Sequence, residues 1–294
     1  MYVDSHVHLQ PHGEKPVMTR ERLERYVEAG RAAGVERLAF TEHLFRFHEA
    51  LALLRDWWDD DGDPVLAAAT HKYLEDEVSA SIAEYVRLIE EAKADGLPVL
   101  LGLEMDWVPG REKELRAFLA PYDWDIVLGS VHWIGAWGFD SASIPAFAAE
   151  WERRDVDAVF ADYAQLVRDL ADSKLADVLA HPDLPKIQGH RPSNQTPLHA
   201  AIVEAASRGG CAVEINSNGY NKPVREAYPH IDVLRRAHEA GLAITLASDA
   251  HQPERVGERF DDLASLAREA GYEQFASFEA RRATFHPLPE PSRS

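Results

Sequence analysis

Pairs of metal-capable side chains stand two residues apart at two places in the chain. His6-Val7-His8 lies near the start, and Asp249-Ala250-His251 lies near the end. In an extended strand such residues point to the same side, with Cα atoms roughly 6.6 Å apart, so they can share one ion. Each pair alone is a weak indication, since partly exposed side chains at a strand end give the same pattern.

Short apolar segments alternate with amphipathic segments along the chain. The apolar runs are typical of parallel strands buried on both faces, and we predict strands at Tyr2–His6, Arg37–Thr41, Val99–Glu104, Ile126–His132, Val178–His181, Ala212–Asn216 and Ile244–Ser248. Amphipathic periodicity with capping residues predicts helices at Thr19–Ala33, His71–Ala94, Arg111–Leu119, Asp155–Leu170, Thr196–Ser207, Ile231–Glu239 and Glu254–Ala270.

This alternation continues without a change of composition from residue 1 to residue 294. It favours an α/β fold in which a single domain forms one closed or nearly closed β/α barrel. A doubly wound open sheet is the alternative, but no Gly-rich phosphate-binding turn follows the first strand. We interpret Leu44–Thr70, rich in Trp and Asp, as an insertion near the barrel mouth, and His286–Ser294 as a loose C-terminal tail.

Four further metal-capable side chains stand at the ends of predicted strands: His43, Glu104, His132 and His181. The carboxyl ends of the strands of a β/α barrel meet at one face, where active sites form. Burying the carboxylate of Glu104 is costly unless cations surround it. A salt bridge to an arginine is the alternative. The shared position of all these residues at the carboxyl ends of predicted strands favours a site for several metal ions.

Composition excludes several classes of protein. The chain carries 31 Lys and Arg against 50 Asp and Glu, a formal net charge of −19, which disfavours binding to long nucleic acid or an anionic membrane. Its one cysteine, Cys211, excludes an intrachain disulfide and suits a reducing compartment. We find no apolar run long enough to span a bilayer and no secretory signal, and we therefore expect a cytoplasmic protein. The sequence gives no indication of oligomeric state.

The motifs together resemble those of the PHP (polymerase and histidinol phosphatase) phosphoesterases. They occur in the family's order: Asp4–His8, Pro11–Gly13, Thr41–His43, Gly102–Glu104, Ser130–His132, His181–Asp183 and Ser248–His251. Three further segments resemble the histidinol-phosphatase branch: Gly129–Asp140, His181–Gly189 and Glu214–Pro223. The resemblance implies a distorted (β/α)7 barrel, similar to a TIM barrel, that holds three divalent ions.

The resemblance also assigns ligands by motif. It implies that the first ion is held by His6, His8, Glu104 and Asp249. It implies that the second is held by Glu104, His132 and His181, so that Glu104 bridges the two. It implies that the third is held by His12, His43 and His251. Imidazole and carboxylate ligands accept Zn, Mn, Fe or Co.

Clustered divalent ions suit the hydrolysis of a phosphate ester. They coordinate phosphoryl oxygens and lower the pKa of a bound water from 15.7 to about 7. They also reverse the repulsion between a phosphate dianion and an acidic protein. We find no acyl-transfer motif of the G-x-S-x-G type, and Cys211 directly precedes the predicted strand Ala212–Asn216. We therefore predict a metal-dependent phosphatase, and the resemblance to the histidinol-phosphatase branch implies L-histidinol phosphate as its substrate.

Contacts with the substrate are predicted from charged residues near strand ends. Lys222 follows the sixth strand, the one strand end without a metal-capable residue, and is the first candidate for phosphate. Further candidates, each of which is otherwise a surface charge, are Lys186, Arg191, Arg46 and Arg255. Asp183, beside His181, is expected either to protonate the leaving group or to orient an imidazole. Trp133, Trp137 and Asp106 could frame the substrate's imidazole and ammonium groups, or pack at the barrel rim.

Two other functions compete with this prediction. The first is a PHP phosphoesterase for another small phosphate ester, such as a nucleotide or dinucleotide, which the net charge does not exclude. The second is a non-catalytic metal-binding module used in assembly. A degenerate module of that kind would lack ligands, whereas every expected position is filled here.

Overall fold

A computed structural model of the chain describes residues 2–11, 18–54, 57 and 62–290. The described strands are β1 (Tyr2–Val7), β2 (Val35–His43), β3 (Val99–Asp106), β4 (Ile126–Ser130), β5 (Trp133–Ile134), β6 (Trp137–Gly138), β7 (Val178–Leu179), β8 (Ala212–Asn216), β9 (Ile244–Ala247), β10 (Gln274–Glu279) and β11 (Arg282–Pro287). The helices are α1 (Arg20–Ala32), α2 (Leu51–Leu54), α3 (Pro64–Glu77), α4 (Ile82–Ala94), α5 (Glu112–Leu119), α6 (Pro145–Glu150), α7 (Val156–Asp172), α8 (Thr196–Gly209), α9 (Ile231–Glu239) and α10 (Phe260–Glu269).

Seven parallel strands form the central sheet, in the order β1-β2-β3-β4-β7-β8-β9. The first and last strands also meet, since Val7 and Ala250 form a parallel bridge and the amide of His8 donates to the carbonyl of Ala250 at 2.8 Å. The sheet is therefore a nearly closed barrel surrounded by helices, and this prediction is confirmed. Nearly continuous burial of β1, β3, β4, β8 and β9 explains their apolar sequences.

One buried carboxylate fastens the seam between β1 and β9. Oδ1 of Asp4 accepts from the amide of Ser248 at 3.0 Å, and its Oδ2 accepts from the Ser248 hydroxyl at 2.5 Å and from the amide of Gly257 at 3.0 Å. Gly257 has φ of +68°, and a Cβ there would lie 2.6 Å from a methyl group of Val35. The seam positions His6 and His8 opposite Asp249.

Two helix boundaries differ from the prediction. His71–Ala94 is not one helix, because α3 and α4 are separated where the amides of Ser79 and Ala80 donate to the carbonyl of Arg46 at 3.0 and 3.1 Å. Glu254–Ala270 is also too long, because Pro253–Arg255 forms a 3₁₀ turn and the bend that brings Gly257 to Asp4 delays the start of α10 until Phe260.

The predicted insertion is more ordered than its sequence suggests. Within Leu44–Thr70, the described residues form two 3₁₀ turns, α2 and the first half of α3. Asp63 begins α3 as its N-cap, with Pro64 at the first helical position.

The predicted loose tail is partly wrong. His286 and Pro287 belong to β11, which pairs with β10 as an antiparallel hairpin. The turn between them uses Ala280 and Arg281 at φ of 48° and 59°, where glycine or asparagine is the usual sequence signal. Asp125 holds this turn, since its Oδ1 accepts from the amide of Ala280 at 3.1 Å. Within the described residues, no helix has the length and hydropathy needed to cross a bilayer.

The seam gives the first prediction. Asp4→Asn should lower the free energy of unfolding by roughly 2–3 kcal/mol, because an amide nitrogen would face buried N–H and O–H donors. Asp95→Asn is the control, since Asp95 makes an exposed pair with Arg20 and should change stability by under about 1 kcal/mol. Denaturant titration measures both values, and equal stability of the two variants would contradict the role of Asp4.

Candidate metal centre

Glu104 lies at the centre of the histidine cluster. It is fully buried near the end of β3, and its two oxygens face different imidazoles. Oε1 lies 2.9 Å from Nε2 of His181 and 3.4 Å from Nε2 of His132. Oε2 lies 2.6 Å from Nδ1 of His43, 3.4 Å from Nε2 of His6 and 3.5 Å from Nε2 of His8. One carboxylate thus connects two groups of imidazoles.

Asp249 and His251 complete the cluster from the end of β9. Oδ1 of Asp249 lies 3.5 Å from Nε2 of His8 and 3.9 Å from Nε2 of His6. Its Oδ2 accepts from the Nδ2 amides of Asn216 at 3.4 Å and Asn218 at 3.0 Å. These amides fix the carboxylate so that Oδ1 points toward the histidines.

The backbone is unusual at two of these positions. His181 has φ of 27° and Asp249 has φ of 54°, in the region that non-glycine residues rarely adopt. Such conformations persist only where surrounding contacts hold them, and they are concentrated at functional sites. Here they occur two residues after the ends of β7 and β9, where the chain turns His181 toward Glu104 and Asp249 toward His6 and His8.

Several sets of three ligand atoms lie close enough to share an ion. In each set the atoms are all within 4.8 Å of one another: His6, His8 and Glu104; Glu104, His132 and His181; His8, His43 and His251; His6, His181 and Asp249; His43, Asp106 and His132. The first two sets correspond to the predicted first and second ions. The third contains His43 and His251, as predicted for the third ion, with His8 beside them.

The orientation of two imidazoles tests whether a cation fits. Nδ1 of His6 lies 3.0 Å from Oε2 of Glu214, and Nδ1 of His8 lies 3.7 Å from Oε2 of Glu42. A carboxylate accepts hydrogen bonds, so the neutral His6 ring carries its hydrogen on Nδ1 and a lone pair on Nε2, and His8 faces Glu42 in the same orientation beyond hydrogen-bond distance. The two Nε2 atoms are only 2.9 Å apart, beside two carboxylates. The lone pairs of the imidazoles and the charges of the carboxylates repel one another unless a cation lies between them, so these residues fit a divalent ion.

Three carboxylates contact the outer side of the histidines, and the sequence analysis did not predict these contacts. Glu214 and Glu42 face His6 and His8, and Oδ1 of Asp106 lies 2.6 Å from Nδ1 of His132. Such partners fix the tautomer and direction of a ligating imidazole. Glu42 and Glu214 stand inside apolar strands, where a buried carboxylate needs a partner, and that was the available signal.

The charges within the centre couple metal binding to the release of protons. Burial disfavours the charged form of His6, but Glu214, Glu104 and Asp249 outweigh burial and raise the pKa of His6 well above its usual value. Burial likewise opposes ionisation of Glu104, but His43, His6 and His132 hold its pKa well below the usual range. Protons therefore compensate the carboxylates until a cation displaces them.

A cavity of about 1030 Å³ opens onto the centre. Its wall includes His43, His132, His181, Asp249 and His251. Two of the predicted phosphate-binding residues, Lys222 and Arg255, also line it. The side chains of Lys222 and Arg255 therefore line the same cavity as the histidines.

Among the described residues, three of the predicted phosphate contacts do not line the cavity. Arg46 is buried and pairs with Glu77, and its side chain also donates to the carbonyl of Gln10 at 3.5 Å. Lys186 and Arg191 both pair with Glu226, at 2.7 and 3.0 Å. Because these charges are compensated by buried or partly buried carboxylates, we assign all three to packing around the site rather than to phosphate.

One oxygen of Asp183 is engaged by a lysine and a backbone amide, and the predicted role of Asp183 as a proton donor stays a prediction. Its Oδ2 lies 2.8 Å from Nζ of Lys186 and accepts from the amide of His230 at 2.8 Å. Asp183 is buried and holds the segment after β7 to the start of α9.

Of the three predicted rim residues, Trp133 lines the cavity, Trp137 is packed as in the predicted alternative, and Asp106 pairs with a histidine. The Asp106 carboxylate is engaged by His132, and Trp137 is fully buried with its indole nitrogen donating to the carbonyl of Phe147 at 2.9 Å. Trp133 does line the cavity, together with Tyr73 and Asp140, which we did not predict. His12 lies outside the described residues.

The family of the chain follows from a match between residues 6–218 and the model of the PHP domain. The chain belongs to the PHP domain family. The predicted resemblance is thereby confirmed, and the matched region contains Glu104 and all of its imidazole neighbours.

Relatives within the family share a description. A protein of Deinococcus radiodurans described as a probable histidinol-phosphatase is 39% identical over 269 residues, which cover 91% of this chain and 93% of the relative. A Schizosaccharomyces pombe protein with the same description is 24% identical over 293 residues, covering 95% and 90%. The crystal structure of a Lactococcus lactis histidinol phosphate phosphatase, which contains zinc, L-histidinol and phosphate, has the same fold at a TM-score of 0.67, with 20% identity, 96% of this chain and 98% of that chain covered.

The carboxylates behind the histidines give the second prediction. Glu214→Gln should weaken metal binding by roughly 10- to 100-fold, because an amide does not hold the Nδ1 hydrogen of His6 as a carboxylate does. Glu204→Gln on α8 is a matched control on the outer face, and its metal affinity should equal that of the unmodified protein. Competition with a chelator of known affinity measures both, and an unchanged affinity in Glu214→Gln would contradict the assignment.

Proposed function

We propose that this PHP protein is a metal-dependent phosphatase that hydrolyses L-histidinol phosphate to L-histidinol and phosphate. The observation that carries the proposal is Glu104, whose two oxygens face two groups of buried imidazoles at the floor of an open cavity. The full-length similarity to the Deinococcus relative supports the choice of substrate.

The proposed centre holds three divalent ions, with Zn, Mn, Fe or Co as candidates. We propose His6, His8, Glu104 and Asp249 for the first and Glu104, His132 and His181 for the second. His43 and His251, with His12, are proposed for the third. When bound, such ions supply positive charge for a phosphate dianion and acidify a coordinated water.

The chain's own residues then act around the phosphate ester. Glu104 holds the two groups of imidazoles in register, and Asn216 and Asn218 fix the carboxylate of Asp249. Lys222 and Arg255 supply fixed positive charge on the same cavity wall, with Arg255 partly compensated by Glu258 at 2.8 Å. Lys222 is therefore the stronger proposed phosphate contact.

Other residues of the cavity wall suit the rest of the substrate. Trp133 and Tyr73 provide aromatic faces, with ring centroids 5.9 Å apart. Asp140 lies beside them on the cavity wall. An imidazole can pack against the aromatic rings while an ammonium group pairs with the carboxylate. A generic phosphate ester offers neither group, so this part of the cavity would select histidinol phosphate.

The third prediction concerns this selectivity. The metal-loaded protein should prefer histidinol phosphate over both p-nitrophenyl phosphate and AMP by at least about 100-fold in kcat/KM, or ~2.7 kcal/mol. Lys222→Ala should reduce turnover of every ester, since all carry phosphate. Asp140→Asn should reduce turnover of histidinol phosphate alone. Comparable turnover of AMP or a dinucleotide would instead favour a phosphoesterase of the same fold with another substrate.

A further inference from the structure

Tyr228 lines the cavity, but no role has been assigned to it so far. It is only 1% exposed, and its hydroxyl has no hydrogen-bond partner among the described residues. Buried tyrosine hydroxyls normally have partners. In the same protein the hydroxyl of Tyr85 donates to the carbonyls of Phe40 at 2.6 Å and Gly102 at 2.9 Å. The hydroxyls of Tyr26 and Tyr272 also lack a partner among the described residues, but of these three tyrosines only Tyr228 lines the cavity, so its hydroxyl is the one available to a ligand there.

The ring of Tyr228 is held in place from several sides. Its amide donates to the carbonyl of Asn216 at 3.0 Å, and its carbonyl accepts from the amide of Asn216 at 2.7 Å. Nζ of Lys186 lies 5.3 Å from the ring centroid. A Cβ on Gly219 would lie 3.0 and 3.1 Å from two ring carbons, so the glycine permits this close approach. These contacts fix the hydroxyl without using it.

Tyr228 also stands next to the candidate metal centre. Its ring meets the ring of His181 edge to face, with centroids 6.3 Å apart. Asp249 and Lys222 line the same cavity. A group bound in this cavity near His181 therefore lies close to the tyrosine side chain. Because a phenol donates a hydrogen bond without carrying charge, it can contact an anion while lying among carboxylates.

We propose that Tyr228 is a substrate-binding residue whose hydroxyl donates a hydrogen bond to an oxygen of the phosphoryl group. A donor that is fixed before the substrate arrives stabilises the phosphate without reorganising. The proposal rests on the proposed phosphatase function, since it takes the phosphoryl group as the ligand of this cavity. It does not depend on which alcohol the phosphate is attached to.

The test compares Tyr228→Phe with the unmodified, metal-loaded protein at matched metal content. Binding of inorganic phosphate, measured by calorimetry, should weaken by at least about tenfold, because a hydrogen bond to a charged group is lost. The melting temperature should not fall, since no bond within the described protein is removed. Tyr26→Phe is the control: Tyr26 is equally buried, lies on α1 away from the cavity, and should bind phosphate normally.

A second ligand locates the contact on the substrate. L-Histidinol lacks the phosphoryl group, so Tyr228→Phe should bind it as tightly as the unmodified protein. Phosphate affinity within about threefold of normal, or an equal loss of affinity for both ligands, would overturn the proposal. Inorganic phosphate is used so that the result is independent of substrate identity. Failure of the unmodified protein to hydrolyse histidinol phosphate would count against the proposed function and leave the role of Tyr228 decided by phosphate binding.

Discussion

Burying the carboxylate of Glu104 imposes a requirement that the surrounding structure satisfies. A fully buried anion is strongly unfavourable unless positive charge surrounds it, and the imidazoles of five histidines lie within 3.5 Å of its oxygens. The imidazoles in turn are oriented by Glu214, Glu42 and Asp106. Such a cluster of imidazoles and carboxylates is stable only with bound cations, whether protons or metal ions. The fold positions the cluster at the face where the seven barrel strands end.

The barrel determines which residues can reach that face. Parallel pairing places the ends of β1, β2, β3 and β4 side by side, and the seam at Asp4 brings β9 against β1. Loops after the strands then supply the cavity wall, including Lys222 and Tyr228. In the proposed function the metal ligands stand at strand ends, while substrate selection depends on the loops and on α3, which carries Tyr73. With this division, changes in the loops can alter substrate selection without moving the metal-capable residues.

The fold and the metal-capable residues were predictable because strand periodicity and barrel geometry translate directly into position. His132 and His181 could be placed together from strand ends alone, although they are far apart in sequence. Contacts made by long side chains were not predictable in the same way. Lys186 and Arg46 were predicted to contact phosphate, but both form ion pairs with carboxylates. Those partners are distant in sequence, so they can be identified only from the tertiary structure. The turn at Ala280 and Arg281 was missed because its residues give no local signal.

The claim that Glu104 organises the metal centre can be tested by elemental analysis. We would measure metal per chain in the unmodified protein and in Glu104→Gln, after identical loading and gel filtration, with His48→Ala as a control on an exposed histidine. We expect several equivalents in the unmodified protein and in His48→Ala, and a loss of at least one equivalent in Glu104→Gln, because a neutral amide cannot bridge two cations as a carboxylate does. Full metal content in Glu104→Gln would contradict the account.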